Sequence, residues 1–585
     1  MSAVLEVREP GARYLSAPQP LLAREFDLMA TAPGGVARLR ELILTLAVQG
    51  KLVPQDLRDE PASGLLQRIR AQKRSLVGSM KLMRSSGELA NEKREPPHSL
   101  PMGWAWSTLA AIGLINPRND AADEVMASFV QMSSIPVAFS DAHLSEARPW
   151  RDIKAGFTQF AEGDVGVAKI TPCFENGKST VFQNLSNGIG AGTTELHIVR
   201  PLCGVSARYV LLFLKSPSFL LEGKAQMTGS AGQKRLPRGY FENKPFPLPP
   251  LAEQARIVAR VEELMCLCDA LEAKGRLEAE QHARLLSTLL GTLTDSTSPD
   301  ELATNWHRVA AHFDLLLDRP EAVDALEKTI LQLAVRGLLL PQHAIDEPAE
   351  SLLRQLRAER HRLAERGAKK IGQGVIAILD EDVPFGLPRG WAWARFDEIV
   401  DPTKPISYGV LVPGPEVSGG VPFVRIADLS LTNPAEQPEK SIGTEVDAQY
   451  RRTRLEGGEI LMGVVGSIGK LGVAPASWSG ANIARAVCRI VPVSVVDREF
   501  VLLLLQSEFM QQSFSGDTRT LAQPTLNVGL IRNSPTPLPP FAEQSRIVAR
   551  VNQLSRLCTD LRQRLTASQT TQTHLAEALV ESAIA

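Results

Sequence analysis

The chain is an internal duplication, and this constrains its fold more than any other feature. The segment PLPPLAEQARIVARV at Pro247–Val261 recurs as PLPPFAEQSRIVARV at Pro537–Val551, with thirteen of fifteen positions identical. Two further motifs recur 287 residues apart. LPMGWAW at Leu100 recurs as LPRGWAW at Leu387, and ILTLAVQGKLVPQ at Ile43 recurs as ILQLAVRGLLLPQ at Ile330. A period this long predicts two copies of a whole folding unit rather than a short structural repeat.

Between these near-identical frames the two halves diverge. The inserts that follow each GWAW motif share only faint similarities, such as YVLLFLKS at Tyr209 and FVLLLLQS at Phe500. Their short β-branched segments, separated by glycine and proline, predict compact domains with an irregular sheet. Constant frames around dissimilar inserts indicate a fixed scaffold that carries two different binding surfaces.

The frames predict amphipathic helices that begin after each Pro-Pro pair. Apolar residues recur there at alternating steps of four and three, which places them on one face of a helix. This helix seam, predicted to pair helices and to dock partners, consists of Ile257, Val261, Leu264, Cys268 and Leu271, and of Ile547, Val551, Leu554, Cys558 and Leu561. From Leu251 to Gly275 the first helix would span about 36 Å at roughly 1.5 Å per residue. That length is close to one turn of B-DNA, about 34–36 Å.

The sequence thus divides into six segments. We expect an N-terminal extension of unassigned role at 1–35, and helical regions at 36–99, 250–386 and 540–585. Two variable domains of mixed α/β (α+β) class are expected at 100–249 and 387–539.

Composition limits the class of protein. Of the 585 residues, 44% are hydrophobic, and 64 Lys and Arg balance 65 Asp and Glu. These values indicate a folded protein and exclude a small, tail-driven nucleic-acid binder, but they allow local basic faces. No apolar run approaches a membrane span, and six cysteines without a CxxC pair predict neither a disulfide framework nor a metal site. We expect a cytoplasmic protein with no membrane association.

Motifs for catalysis or cofactor binding are incomplete. GIGAGTT at Gly188–Thr194 precedes a predicted strand, whereas a dinucleotide loop precedes a helix. GSIGKL at Gly466–Leu471 lacks the upstream glycine and the Ser or Thr of a P-loop. A methyltransferase would need an N/DPPY motif, and NSPT at Asn533–Thr536 lacks the second proline and the aromatic residue. We predict no catalytic residue and no cofactor bound by this chain.

Polar and basic residues concentrate in loops of both inserts. Arg and Lys can bind the edges of guanine, and Asn and Gln can bind the edges of adenine. Hydroxyl side chains can bind phosphates. The candidate DNA-binding residues are Lys169, Thr171, Asn176, Lys178, Lys234 and Arg235, and in the second insert Tyr408, Arg425, Ser467, Lys470, Arg485, Arg519 and Gln523. Each alone also fits a solvated loop residue, but as a group they favour DNA recognition. A helical repeat scaffold that binds proteins without DNA specificity is the alternative.

The motifs resemble a known family. The two proline-capped AEQxRIV helices are similar to the repeated conserved regions of type I restriction-modification specificity subunits, and GWAW is similar to the family's entry motif. KITPCFENGK with GIGAGTTELHIVRP resembles one class of target recognition domain, and GEILMGVVGSIGKLGV with ANIARAVCRIVP resembles another. The resemblance extends from about Val36 to Leu565.

The resemblance implies a fold and a function. Two target recognition domains would each read one half of a split, asymmetric duplex DNA sequence. Antiparallel, coiled-coil-like conserved helices would separate them and set the spacer. Two methyltransferase subunits and two motor-nuclease subunits would complete the enzyme, which methylates adenine or translocates and cuts DNA. S-adenosylmethionine, ATP and Mg²⁺ would be bound by those partners, and this chain would supply recognition.

Overall fold

The computed structural model describes residues 26–79, 98–139, 142–230, 232–365, 378–379, 383–515 and 525–584. Its internal contacts divide the chain into two units. The first unit contains the described residues up to Glu278 and again from Gln569, and the second contains Ala279–Ser568.

Among the described residues, nine helices and ten strands precede Asp295, and all of them lie in the first unit except the end of the last helix. The helices are α1 (Phe26–Thr31), α2 (Gly35–Gln49), α3 (Ala62–Ser79), α4 (Leu109–Ile112), α5 (Trp150–Ile153), α6 (Ala207–Lys215), α7 (Pro217–Gln226), α8 (Arg238–Asn243) and α9 (Leu251–Thr294), of which α9 ends in the second unit. The strands are β1 (Ala105–Thr108), β2 (Gly113–Ile115), β3 (Met126–Val130), β4 (Glu146–Pro149), β5 (Thr158–Ala161), β6 (Val165–Ala168), β7 (Ser179–Val181), β8 (Ile189–Gly192), β9 (Leu196–Pro201) and β10 (Pro245–Leu248).

The described elements of the second half follow a similar order. Its helices are α10 (Pro299–Ala310), α11 (Phe313–Leu316), α12 (Pro320–Val335), α13 (Ala349–Glu365), α14 (Thr444–Gln449), α15 (Arg498–Gln506), α16 (Glu508–Ser515), α17 (Val528–Asn533) and α18 (Phe541–Ile584), of which α18 ends in the first unit. Its strands are β11 (Ala392–Arg395), β12 (Ser407–Tyr408), β13 (Val421–Val424), β14 (Lys440–Ile442), β15 (Ile460–Gly463), β16 (Leu471–Val473), β17 (Asn482–Ile483), β18 (Val487–Ile490) and β19 (Pro535–Leu538).

The two variable domains share one strand topology despite their dissimilar sequences, except that β5 has no counterpart among the described strands of the second domain. In the first, an antiparallel sheet has the order β2-β9-β6-β7, and a second sheet has the order β4-β3-β8-β5 with β3 parallel to β8. In the second, the corresponding orders are β12-β18-β15-β16 and β14-β13-β17, with β13 parallel to β17. The prediction of mixed α/β domains with irregular sheets is confirmed.

Each variable domain is closed where the chain enters and leaves it. The last two residues of the GWAW motif begin β1, which pairs antiparallel with β10 so that Trp106 lies opposite Pro247. In the second domain β11 pairs with β19, and Trp393 lies opposite Pro537. The two ends of each insert are therefore fixed together, immediately before the Pro-Pro pair that begins a long helix.

The predicted seam is buried in both long helices. Ile257, Val261 and Cys268 share a core with Ala576, Leu579 and Val580 from the end of α18. In the second unit, Ile547, Val551 and Cys558 share a core with Leu286, Leu290 and Leu293 from the end of α9. The other seam residues, Leu264, Leu271, Leu554 and Leu561, are half-buried. In each unit the start of one long helix thus packs with the end of the other, as antiparallel pairing requires.

The long helices extend further than the sequence predicts. Both α9 and α18 have 44 residues, which corresponds to about 66 Å at roughly 1.5 Å per residue. The length estimate from Leu251 to Gly275 covers only the first part of α9, and Gly275 does not end the helix, because a single glycine costs a helix only about 1 kcal/mol relative to alanine. Leu286, Leu290 and Leu293 are buried beyond it, and their burial offsets that cost.

The most strongly repeated motifs meet in one buried hydrogen-bond network in each unit. The indole N–H of Trp104 donates to the Glu253 carboxylate over 3.0 Å, and the Gln55 amide donates to its other oxygen over 3.2 Å. The second unit makes the same two bonds, over 3.0 and 3.4 Å, from Trp391 and Gln342 to Glu543. Both carboxylates are 1% exposed. The network joins the GWAW strand, the loop after the first helical repeat and the start of the long helix.

The glutamine that follows each buried glutamate ties the same point to the variable domain. The Gln254 side chain donates to the Pro249 carbonyl over 2.9 Å and accepts the backbone N–H of Ser206 over 2.8 Å. Ser206 is the N-cap of α6. In the second unit Gln544 bonds Pro539 and the N-cap residue of α15, Asp497, in the same way.

Replacing a fully buried seam residue by a carboxylate tests the helix packing. Val261→Asp should lower the free energy of unfolding by about 3–5 kcal/mol, because the new charge is buried without a partner. Denaturant unfolding of the full chain measures this change. Leu267→Asp, at an exposed position of the same helix, should cost under about 1 kcal/mol. Equal losses from the two substitutions would contradict the assigned faces.

The buried glutamate predicts a pH dependence. Burial raises the pKa of Glu253, and hydrogen bonds from Gln55 and Trp104 only partly oppose this. Because the pKa is raised in the folded state, this group favours folding below its unfolded pKa, about 4.3, and that contribution is lost as pH rises through the folded pKa. Glu253→Gln removes the titration.

The free energy of unfolding of Glu253→Gln should therefore increase relative to that of the wild type as pH rises from about 4 to 7. Denaturant unfolding of both chains across this range measures the difference. Glu263→Gln, at an exposed position of the same helix, is the control. A pH-independent difference for Glu253→Gln would show that the carboxylate does not titrate differently on folding.

Candidate nucleic-acid interface

One end of the antiparallel sheet is built in the same way in both variable domains. After β6, Lys169 donates its backbone N–H to the Glu195 carbonyl and accepts the N–H of Leu236, over 2.9 and 2.7 Å. After β15, Val464 makes the same bonds with Ala486 and Leu526, both over 2.8 Å. The two loops that carry predicted DNA-binding residues therefore occupy equivalent places, and we call this place in each domain the sheet-end loop site.

In the first domain, four of the predicted residues come together at this site. Thr171 donates its hydroxyl to the Gly232 carbonyl and accepts the backbone N–H of Lys234, each over 3.1 Å. Arg235 is bridged to Ile170 in the adjacent strand segment. Lys169 directly precedes Ile170, and Lys234 directly precedes Arg235. The two lysines and the arginine therefore lie on two adjacent, bridged segments.

The Arg235 guanidinium is paired with the Glu195 carboxylate, with a shortest distance of 2.8 Å. Hydrogen bonds from Arg235 lower the pKa of Glu195, so the carboxylate stays ionised. The sequence pattern gave no sign of this partner, because forty residues separate it from Arg235.

The remaining two predicted residues of this domain have other surroundings. The Lys178 ammonium donates to the Met132 carbonyl over 2.8 Å and is half-buried. Asn176 is exposed, and its backbone N–H donates to the Pro172 carbonyl. Lys178 therefore supports a neighbouring loop, and a DNA contact by either residue stays a prediction.

In the second domain, three predicted residues are engaged in internal bonds. The Tyr408 hydroxyl donates to the Leu526 carbonyl over 2.9 Å and accepts the N–H of Val528 over 2.8 Å. The Lys470 ammonium donates to the Ile426 carbonyl over 2.8 Å. The Arg425 guanidinium pairs with Glu439 over 2.5 Å. These side chains hold loops in place, and whether they also contact DNA is an open prediction.

Three of the described candidate residues of the second domain are exposed: Lys470, Ser467 and Arg485. Ser467 lies in the turn after β15, and Arg485 lies in the turn before β18. The backbone N–H of Arg485 donates to the Val410 carbonyl over 2.9 Å. Within the described ranges, the guanidinium of Arg485 has neither an ion-pair nor a hydrogen-bond partner. Arg519 and Gln523 lie outside the described residues.

The repeat also extends further towards the N-terminus than Val36. FDLM at Phe26–Met29 matches FDLL at Phe313–Leu316, again 287 residues apart. The first of these two segments lies in α1, and the second forms α11. Four residues in an otherwise diverged stretch are a weak signal, and only the known offset makes them visible.

The described residues contain no group of three or more His, Cys, Asp or Glu side chains that could hold a metal ion. Among the described helices, none combines the length and apolar character that a bilayer span requires.

A duplicated helical frame around two variable sheet domains defines a class of protein that carries two separate recognition modules. The family described as "Type I restriction modification DNA specificity domain" matches residues 415–568. The specificity subunits of the type I restriction enzymes EcoAI and EcoEI of Escherichia coli are 41% and 40% identical to the chain, over 94% of its length and 94% of theirs. The chain belongs to the family of type I restriction enzyme specificity subunits.

A solved structure shows the same fold. A chain from a study of complex assembly and conformational transition in the type I R-M system has a TM-score of 0.50 at 19% identity, covering 83% of this chain and 99% of that one. The family predicted from the AEQxRIV and GWAW motifs is confirmed. The alternative of a protein-binding scaffold is not favoured.

Proposed function

We propose that the chain reads a split, asymmetric duplex DNA sequence, one half through each variable domain. The observation that carries this proposal is that the sheet-end loop site has the same backbone bonds in both domains but different side chains. Lys169 and Arg235 in the first domain correspond to Val464 and Thr525 in the second. One scaffold with two side-chain sets suits two different half-sites, because base edges are distinguished by side chains.

The duplicated frames suit two copies of one partner. Two near-identical helical surfaces can bind two identical subunits, and we propose that these are methyltransferase subunits, joined by two motor-nuclease subunits. The long helices set the spacing of the half-sites. S-adenosylmethionine, ATP and Mg²⁺ are bound by the partners in the cytoplasm, and this chain contributes recognition without chemistry of its own.

Sequencing of methylated adenines in single DNA molecules tests this function. Cells that carry the chain with its neighbouring methyltransferase should show one bipartite, asymmetric methylated motif, and deletion of the chain should abolish it. Replacing residues 100–249 by the equivalent domain of the EcoAI subunit should change one half of the motif and keep the other. A motif that does not depend on the chain would contradict the proposal.

Arg485 gives a prediction at the level of one side chain. Arg485→Ala should cost about 1–3 kcal/mol in binding the second half-site, because an exposed guanidinium at the sheet-end loop site is lost. Binding of the purified complex to duplexes altered in one half-site at a time measures this loss. Arg498→Ala, a control beyond the opposite end of β18 with its guanidinium paired to Glu499, should bind normally. Loss of subunit assembly in Arg485→Ala would contradict a recognition role.

A further inference from the structure

The ion pair between Arg235 and Glu195 uses only one edge of the guanidinium. Nε lies 3.1 and 3.0 Å from the two carboxylate oxygens, and Nη2 lies 2.8 Å from one of them. This is side-on pairing, in which Nε–H and one N–H of Nη2 point at the carboxylate. The Arg235 side chain remains 47% exposed and Glu195 is 22% exposed.

The opposite edge of the same guanidinium is available. Arginine has five N–H donors in a planar fork, so side-on pairing leaves two parallel N–H groups, one on Nη1 and one on Nη2. In the part of the chain that the structure describes, Nη1 of Arg235 has no partner. Two parallel donors match the O6 and N7 acceptors that guanine presents in the major groove.

Both members of the pair are fixed through their backbones. Glu195 accepts the N–H of Lys169 at its carbonyl and donates its own N–H to the Thr193 hydroxyl over 3.2 Å. Arg235 exchanges two backbone hydrogen bonds with Thr228, over 2.8 and 3.0 Å. A guanidinium held in this way has lost much of its conformational freedom before a ligand arrives, which favours geometric selectivity.

The surroundings suit a nucleic acid duplex. Lys169 lies on the strand segment bridged to that of Arg235, and Lys234 is its chain neighbour. Lys234 is exposed and Lys169 is half-buried. Ammonium groups beside a base-reading arginine can contact phosphates and fix the register of the domain on DNA.

We propose that Arg235 reads a guanine in the half-site of the first variable domain and that Glu195 is the positioning residue that aims it. This inference rests on the proposed function and deepens it. The second domain has Thr525 and Ala486 at the places equivalent to Arg235 and Glu195. The arginine–glutamate pair therefore acts on the first half-site alone. Its loss should therefore alter one base position in one half of the recognised sequence.

Selection from a random duplex library, with the complex of the full chain and its methyltransferase partners, tests the reading role. Arg235→Ala should reduce the preference for guanine at one position by roughly 5- to 150-fold, the range of one bidentate contact, and leave the other half-site unchanged. Arg235→Lys keeps the charge but loses the fork, and it should relax the same position. Arg238→Ala is the matched control, since Arg238 is an exposed arginine paired with Glu242 on the adjacent helix α8.

The positioning role has a separate readout. Glu195→Gln should relax the same base position by a smaller factor, and it should have no further effect on base preference when Arg235 is already alanine. A Glu195→Gln effect that persists without Arg235 would overturn the positioning role. Melting temperatures of the variants identify any that are unfolded. If Arg235→Ala is unfolded, Arg235→Lys tests the reading role in its place.

The outcomes separate this inference from the proposed function. If Arg235→Ala and Arg235→Lys leave every base preference unchanged while the complex still selects a bipartite sequence, the reading role is wrong and the proposed function stands. Uniformly weaker binding to all sequences would identify a phosphate contact and would also overturn the reading role. If the wild-type complex selects no bipartite sequence, the proposed function itself fails.

Discussion

The frame of this protein depends on a buried carboxylate that occurs once in each half. A glutamate that is 1% exposed is costly to bury unless hydrogen-bond donors satisfy it. Glu253 obtains these donors from Trp104 and Gln55, which come from two segments distant in sequence. Any substitution among the three leaves a polar group buried without its partner, which explains why these motifs recur almost unchanged when the inserts do not.

The same network explains how an insert can diverge without disturbing the frame. The chain enters the first variable domain through β1 and leaves it through β10, and these strands pair with each other beside the Glu253 network. Gly50 completes the packing: it has φ 71°, and a Cβ there would lie 2.4 Å from Pro101 and 2.9 Å from Trp104. The chain therefore enters and leaves the domain at one pair of adjacent strands, so its loops can change as long as its sheets still close.

Local pattern predicted the frames well and the inserts poorly. The seam from Ile257 onwards and the helix starts after the Pro-Pro pairs follow from periodicity and backbone chemistry, which are short-range properties. The full length of α9 did not follow from the estimate of about 36 Å, which stopped at Gly275, because the buried residues Leu286 and Leu290 lie beyond that glycine. The equivalence of Lys169 and Val464 was also hidden, since they are 295 residues apart whereas the frames recur at 287 and 290. Only the strand topology reveals it.

The predicted DNA-binding residues are not one class, and the difference bears on how recognition would work. The side chains of Tyr408 and Lys470 are engaged in internal hydrogen bonds, and they shape loops. The Glu195 carboxylate holds one edge of the Arg235 guanidinium and leaves the other edge available. This favours selectivity, because the side chain has little conformational freedom left to lose on binding. Among the residues that the structure describes, no carboxylate holds Arg485 in this way, so ordering its side chain on binding costs more entropy. In a chain with a net charge of −1, general attraction to phosphates is weak. If Arg235 reads a guanine as proposed, its fixed geometry adds selectivity that general attraction to phosphates cannot supply.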